Sequence, residues 1–287
     1  MFPCCFSRST ILITRCSLLH TSTMASGIQL LSPTSPELAA PTEPRWYLAY
    51  GSNLSASGFV VKRNITPLDT KVVIVDGLEL SFDNPGVPYI EPRFANCRLA
   101  EPSTEHWSPG NPWLGGRGSL MGVAYLLSPA DFLTILRSEG GGTSYQPLIA
   151  PAVSLSADGA RTQQVINAYT LLTPTTRRGI GYASLRYMKL LRNGAREQHM
   201  PEPYIAYLDS IPSYRVISFR QKIGRLVHIV VWMPGLLIFF RIVARMSSKT
   251  GRAPKPILWT RRALFGTMWG LYDLLAKWIF GDGEASS

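Results

Sequence analysis

Residues 226–240 contain no Asp, Glu, Lys or Arg and are bracketed by Arg225 and Arg241. A run this apolar has to leave water, for a protein core or for lipid, so it sets the first division of the chain. Wound as a helix at about 1.5 Å per residue it spans roughly 22 Å, short of the roughly 30 Å hydrocarbon core, and Pro234-Gly235 should kink it. The expectation is a shallow or re-entrant helix whose flanking arginines snorkel to the surface. Residues 261–280 read as a second apolar helix, with Gly266, Gly270, Asp273 and Lys277 confined to a narrow polar stripe. In a water-soluble protein such a helix docks on the core. With Trp232, Trp259, Trp269 and Trp278 and the flanking bases, a membrane surface met through residues 226–280 is the expected partner.

The charge follows the same division. Of the formal net charge of +11, residues 24–212 contribute nothing, with 15 basic and 15 acidic side chains, whereas residues 213–287 hold 12 basic and 3 acidic ones. Positive charge interleaved with apolar runs suits a lipid surface better than a duplex groove, so no nucleic-acid partner is expected. Cys4, Cys5 and Cys16 precede the folded region and Cys97 stands alone in it, which builds neither a disulfide framework nor a zinc site. His20, His106, His199 and His228 lack ligand spacing, and no metal or cofactor is expected. A reducing compartment follows, the cytoplasm or the cytoplasmic side of an intracellular membrane. Residues 1–23 have the composition of a mitochondrial presequence, and equally of an upstream extension before Met24. Residues 25–44 carry four prolines without periodicity and read as a disordered linker. The expected division is 1–44, a folded domain over 45–214, and a helical tail over 215–287.

Within the domain, residues 46–50 read as a short buried strand that stops at Gly51-Ser52-Asn53, a turn whose backbone could approach a ligand closely. Residues 71–82 read as a hairpin about Asp76-Gly77, and residues 145–155 and 163–172 as a strand pair about Asp158-Gly159. Further strands fall at 94–99 and 119–127. Residues 85–118, rich in Gly, Pro and Trp, form a loop long enough to suggest cover for a pocket. Ser128 and Pro129 open a helix to about Ser138, with Glu139 at its carboxyl end, where the helix dipole and a low dielectric would raise a carboxylate pKa. Residues 182–193 form a helix expected to end with Gly194 in the left-handed position after it, and a last helix closes at Pro212.

Four of these stretches, in order, resemble the γ-glutamylcyclotransferases. Tyr47-Leu48-Ala49-Tyr50-Gly51-Ser52-Asn53-Leu54 resembles the substrate loop of that family and Gly122-Val123-Ala124-Tyr125 its central strand. Arg137-Ser138-Glu139-Gly140 resembles the segment with its catalytic carboxylate, and Ser184-Leu185-Arg186-Tyr187-Met188-Lys189 begins its closing helix. The resemblance covers residues 45–214 and implies an α+β fold, a small mixed β-barrel with flanking helices. It implies Glu139 as the catalytic base and acid, and Tyr47, Leu48, Ala49, Tyr50, Gly51, Ser52, Asn53 and Tyr187 as substrate-binding residues. Tyr145 and Tyr169 are expected in the same pocket.

The implied reaction opens a γ-glutamyl amide by attack of the substrate's own α-amine, giving 5-oxoproline and a free amine, without a cofactor. The basic tail, the long 85–118 segment and three glycines after Glu139 depart from the simple soluble enzymes. Tailed chains of this kind resemble fungal members that act in epidithiodiketopiperazine toxin biosynthesis of the gliotoxin type. The alternative is a membrane-associated member that binds γ-glutamyl ligands without turning them over.

Overall fold

Strand runs dense in Val, Ile, Leu and Ala on both faces can be satisfied only if both faces are covered. In the computed structural model this happens by closure. The structure describes residues 27–32, 35, 41–55, 59, 64–100, 119–138, 145–174, 176, 177, 179, 181–250 and 255–285. Strands β2 (Arg45–Ala49), β3 (Asp69–Asp76), β6 (Ser119–Leu127), β7 (Gln146–Leu155) and β8 (Arg161–Leu172) join in the order β7-β3-β6-β2-β8, and β8 pairs back to β7. The result is a closed five-stranded barrel. All its pairs are antiparallel except β2 with β8. Central strand β6 is buried along almost its whole length, and a Cβ on Gly122 would stand 2.5 Å from the carbonyl oxygen of Ala49. The glycine is what lets β2 lie this close to β6.

Two expectations about strands are corrected. The 25–44 linker contains a short strand, β1 (Gln29–Leu30), paired with β7, and its neighbours Ile28 and Leu31 are fully buried. The apolar run at 28–31 pays for the ordering that prolines elsewhere in the linker do not favour. The turn at Gly77 is real, with φ of 83°, yet the strands on either side do not pair with each other. Strand β4 (Leu78–Val87) pairs with β5 (Glu91–Leu99) in a separate two-stranded arm, so residues 85–99, expected as loop with one short strand, are mostly hairpin.

Helices α1 (Pro129–Ser138), α2 (Leu185–Glu197) and α3 (Glu202–Ser210) stand beside the barrel. Helix α2 starts at Ser184, whose hydroxyl accepts the Tyr187 N–H at 3.1 Å. It does not stop at Gly194. The left-handed residue is His199, with φ of 50°, and the end is closed by Met200 N–H to the Ala195 carbonyl and His199 N–H to that of Arg196. Gly194 instead permits contact: a Cβ there would lie 2.6 Å from the Ser55 nitrogen and 2.8 Å from the Leu54 carbonyl carbon. Ordinarily Gly→Ala inside a helix stabilises by about 1 kcal/mol. Here the clash reverses the sign, and Gly194→Ala is expected to destabilise by about 1–3 kcal/mol. Chemical denaturation of wild type and variant checks it; a stabilised variant would show that the helix–loop contact yields freely.

The tail is a helical hairpin. Helix α4 (Phe219–Thr250) continues through Pro234, so the charge-free run of the sequence understates it. Its stretch Phe219–Val243 has 25 residues, of which the most apolar 18 average a hydropathy of 2.1, and at about 1.5 Å per residue the whole stretch exceeds a roughly 30 Å hydrocarbon core. Helix α5 (Lys255–Leu271) returns alongside it, followed by a π-helical turn (Tyr272–Ala276) and α6 (Lys277–Phe280). Phe239 and Val243 meet Ile257, and Leu236 meets Met268, Trp269 and Tyr272.

The hairpin is anchored to the arm. Tyr89, at the β4–β5 tip with φ of 62°, is buried with its ring against His228, Tyr272 and Phe280, and its hydroxyl donates to the Gly281 carbonyl at 2.7 Å. A Cβ on Gly224 would stand 2.7 Å from the Phe280 Cβ, and one on Gly283 2.9 Å from the Tyr89 ring, so both glycines clear the socket. The Trp269 indole donates to the Gly86 carbonyl at 3.1 Å. Arg93, wholly buried, pairs with the buried Glu284 at 2.8 Å, and Glu284 also holds Arg177 at 2.6 Å.

Candidate active site

Where β2 runs out, the chain forms a single 3-10 turn over Ser52–Leu54, closed by the Leu54 N–H to the Gly51 carbonyl at 3.0 Å. Gly51 has φ of −113°, so its need for glycine comes from space: a Cβ would lie 3.0 Å from the Tyr187 hydroxyl and 3.5 Å from the Ala95 Cβ. Helix α2 thus delivers Tyr187 to the loop, and arm strand β5 delivers Ala95, whose N–H donates to the Tyr187 hydroxyl at 3.2 Å. Phe94 meets the Tyr187 ring edge-on at 5.2 Å.

These elements enclose a cleft of about 60 Å3. Tyr47, Ala49, Tyr50, Gly51, Ser52 and Asn53 line one side, and Tyr187, Ala95, Tyr145 and the Thr170-Leu171 pair complete it. Among the described residues its lining carries no charged side chain, only phenols, an amide, hydroxyls and backbone. The Asn53 amide donates to the Tyr47 hydroxyl at 3.1 Å, and the Tyr125 hydroxyl, behind the loop, lies 3.3 Å from both the Asn53 and Leu54 carbonyls. Ser55 donates to Glu197 at 3.1 Å, fixing the loop's far end to α2. Such a lining suits a small polar head that needs many oriented hydrogen bonds.

Two residues expected here stand elsewhere. Leu48 is fully buried on the opposite face of β2, beside Gly122, because successive strand side chains alternate faces; only its carbonyl is engaged, by the Thr170 hydroxyl at 2.9 Å. Tyr169 sits with α1, its ring 5.2 Å from Phe132 and its hydroxyl accepting from Arg45 at 3.1 Å. Glu139 lies outside the described residues, as do residues 101–118 of the long segment and residues 1–23. Sequence reasoning missed Ala95 and Leu171, which have no chemical signature and reach the cleft only through sheet pairing. It also missed Asn84, whose amide donates to the Tyr145 hydroxyl at 3.4 Å. Behind the cleft, burial pushes the Cys97 thiol up to about 12 and raises Tyr50 well above the ordinary phenol value, with Cys97 adding to the shift. Tyr50 donates to the Leu171 carbonyl at 2.5 Å and remains a neutral phenol at physiological pH.

Comparison with known proteins finds relatives over most of the chain. It is 34% identical over 243 residues to the gamma-glutamyl cyclotransferase gliK of Aspergillus fumigatus, covering 83% of this chain and 89% of that protein. It is 32% identical over 251 residues to the gamma-glutamyl cyclotransferase aclK of Aspergillus oryzae, covering 83% and 89%. The gamma-glutamyl cyclotransferase verK of Clonostachys rogersoniana shares 35% over 162 residues, 52% of this chain and 83% of that one. A family model described as the AclK C-terminal domain matches residues 218–277, the tail hairpin. A solved gamma-glutamyl cyclotransferase structure aligns with 63% of this chain and 96% of its own at 18% identity, with a TM-score of 0.45.

Proposed function

The chain belongs to the γ-glutamyl cyclotransferase family, and on that premise we propose that its cleft folds a γ-glutamyl amide back on itself for ring closure. The substrate's α-amine attacks its own γ-carbonyl carbon, forming one C–N bond. The amide C–N bond then breaks, yielding 5-oxoproline and a free amine. Intramolecularity supplies the nucleophile, so the protein's work is to hold the folded conformer, relay protons from the α-nitrogen to the departing one and stabilise the oxyanion. Tyr47, Tyr50 to Asn53 and Tyr187 hold the γ-glutamyl oxygens. Glu139 takes a proton from the α-ammonium and passes it to the departing nitrogen, then takes a second from the ring nitrogen and passes it on in turn, so the amine departs in its protonated form.

The observation that carries this reading is the convergence of the 47–53 loop and Tyr187, some 134 positions later in the chain, on one small cleft rich in hydrogen-bonding groups. The reading includes a place in fungal secondary-metabolite biosynthesis, supported by the likeness to the fungal relatives. Release of 5-oxoproline by the full-length protein from γ-glutamyl amino acids, glutathione and its S-conjugates tests the reaction. Binding of those compounds without any release would make the chain a silent ligand-binding member.

The reading also puts the tail on the cytoplasmic face of an intracellular membrane. Supporting it is the outer surface of the hairpin, where Phe219, Leu226, Val230, Leu274 and Trp278 are exposed beside Arg220, Lys222 and Arg225. The full-length protein is expected to float with vesicles containing phosphatidylserine and to bind less as salt rises. Failure to float with any vesicle would remove the membrane from the account.

A further inference from the structure

A cavity of about 420 Å3 opens between α5 and the β4–β5 arm. Phe265, Trp269 and Pro85 form its apolar wall, and Arg177, Arg261 and Arg262 stand around it. The three guanidiniums are not equivalent. Arg177 is already neutralised by Asp273 at 2.7 Å and Glu284 at 2.6 Å, and its Cζ stands over the Trp269 ring, 3.8 Å from the centre. Arg261 and Arg262 make no ion pair among the described residues. Arg261 lies 5.2 Å from the centre of the Phe265 ring, and burial depresses its pKa.

The cavity adjoins the catalytic cleft. Asn84 precedes Pro85 on β4 and hydrogen-bonds Tyr145, a residue of the cleft lining, and the Tyr145 hydroxyl is also an electrostatic neighbour of Arg261. The cleft itself, at about 60 Å3, suits a small polar head, so a bulky amine would extend beyond it.

We propose that this cavity is the subsite for the amine half of the substrate and selects an amine that bears both an aromatic or similarly apolar group and a carboxylate. The inference rests on the cyclotransferase reading of the neighbouring cleft. Phe265, Trp269 and Pro85 cover the apolar group, and Arg261, with Arg262 at the rim, pairs with the carboxylate as a planar two-pronged donor. The cavity is of the size that encloses a small organic ligand. The tail thereby contributes directly to substrate choice.

The test measures kcat/KM of the full-length protein on γ-glutamyl-phenylalanine, γ-glutamyl-alanine and γ-glutamyl-phenethylamine, for wild type, Arg261→Gln and Phe265→Ala. Wild type should prefer the phenylalanine compound by about tenfold or more over each of the others. Arg261→Gln should erase the advantage over the phenethylamine compound, the loss of kcat/KM falling on the phenylalanine compound, and Phe265→Ala should erase the advantage over alanine. Equal losses on all three substrates, or unaltered preferences, overturn the subsite. So does an Arg261→Gln variant that loses only vesicle binding, which would assign the guanidinium to a lipid headgroup. If wild type turns over none of the three, the reaction reading has failed, and calorimetry with free phenylalanine decides the subsite alone: binding by wild type and not by Arg261→Gln sustains it, and no binding to wild type ends it.

Discussion

Glutamine in place of Glu139 is expected to lower kcat by about 10²- to 10⁴-fold with little change in stability or in affinity for the substrate. The amide keeps the size and the hydrogen-bonding reach of the carboxylate but cannot accept the proton of the α-ammonium or deliver one to the leaving nitrogen. Among the described residues the cleft lining offers no charged group, and its tyrosines are poor bases: burial holds Tyr50 in the phenol form. The pH profile separates this role from a merely structural one. Wild-type kcat/KM should rise with pH as the carboxylate ionises, and the residual rate of the variant should lack that limb. An active Glu139→Gln protein with an unchanged profile takes Glu139 out of the mechanism.

Glu284→Ala is expected to destabilise the protein by about 3–5 kcal/mol, because it removes the buried carboxylate paired with the buried Arg93 guanidinium. Among the described residues the Arg93 guanidinium also donates to the Arg177 and Gly179 carbonyls, at 2.6 and 3.5 Å, which carry no charge to offset it, and Arg177 loses its Glu284 bond at the same time. Replacing both ends of the pair, Arg93→Met with Glu284→Leu, should recover much of the loss, since the penalty belongs to the orphaned charge and not to the absence of an ion pair. Urea midpoints of the three variants measure this; a loss below about 1 kcal/mol for Glu284→Ala would mean that water reaches Arg93. Activity should respond too. Arg93 and Ala95 are two residues apart on β5, and Ala95 holds the Tyr187 hydroxyl, so loosening the arm should raise KM.

Much of the site could be read in advance from local pattern. The apolar run before Gly51-Ser52-Asn53 forms a strand and turn because aromatic and apolar residues suit a packed pleat, whereas the helix expected from residue 182 starts only after Ser184, whose hydroxyl accepts a backbone N–H three residues on. What misled were features whose meaning is set by a partner. Gly194 has the residue type of a helix stop, but its lack of a side chain serves the contact with Leu54 and Ser55, and His199 takes the left-handed position. Leu48 lies in the middle of the substrate-loop motif and still points into the core, since strand alternation sends every second residue away from the cleft.

By itself, then, the sequence determined the strand and helix runs, the neutral domain with its basic apolar tail, and the loop at 47–53, all consequences of short-range propensity and hydropathy. Only the tertiary structure decided that β4 takes β5 and not β3 as its partner, that Tyr89 seats in the tail, and that Arg93 finds Glu284 some 191 positions away. Those choices depend on which distant surfaces bury the most area and match the most charge when brought together, and a local stretch of sequence does not record its distant partner.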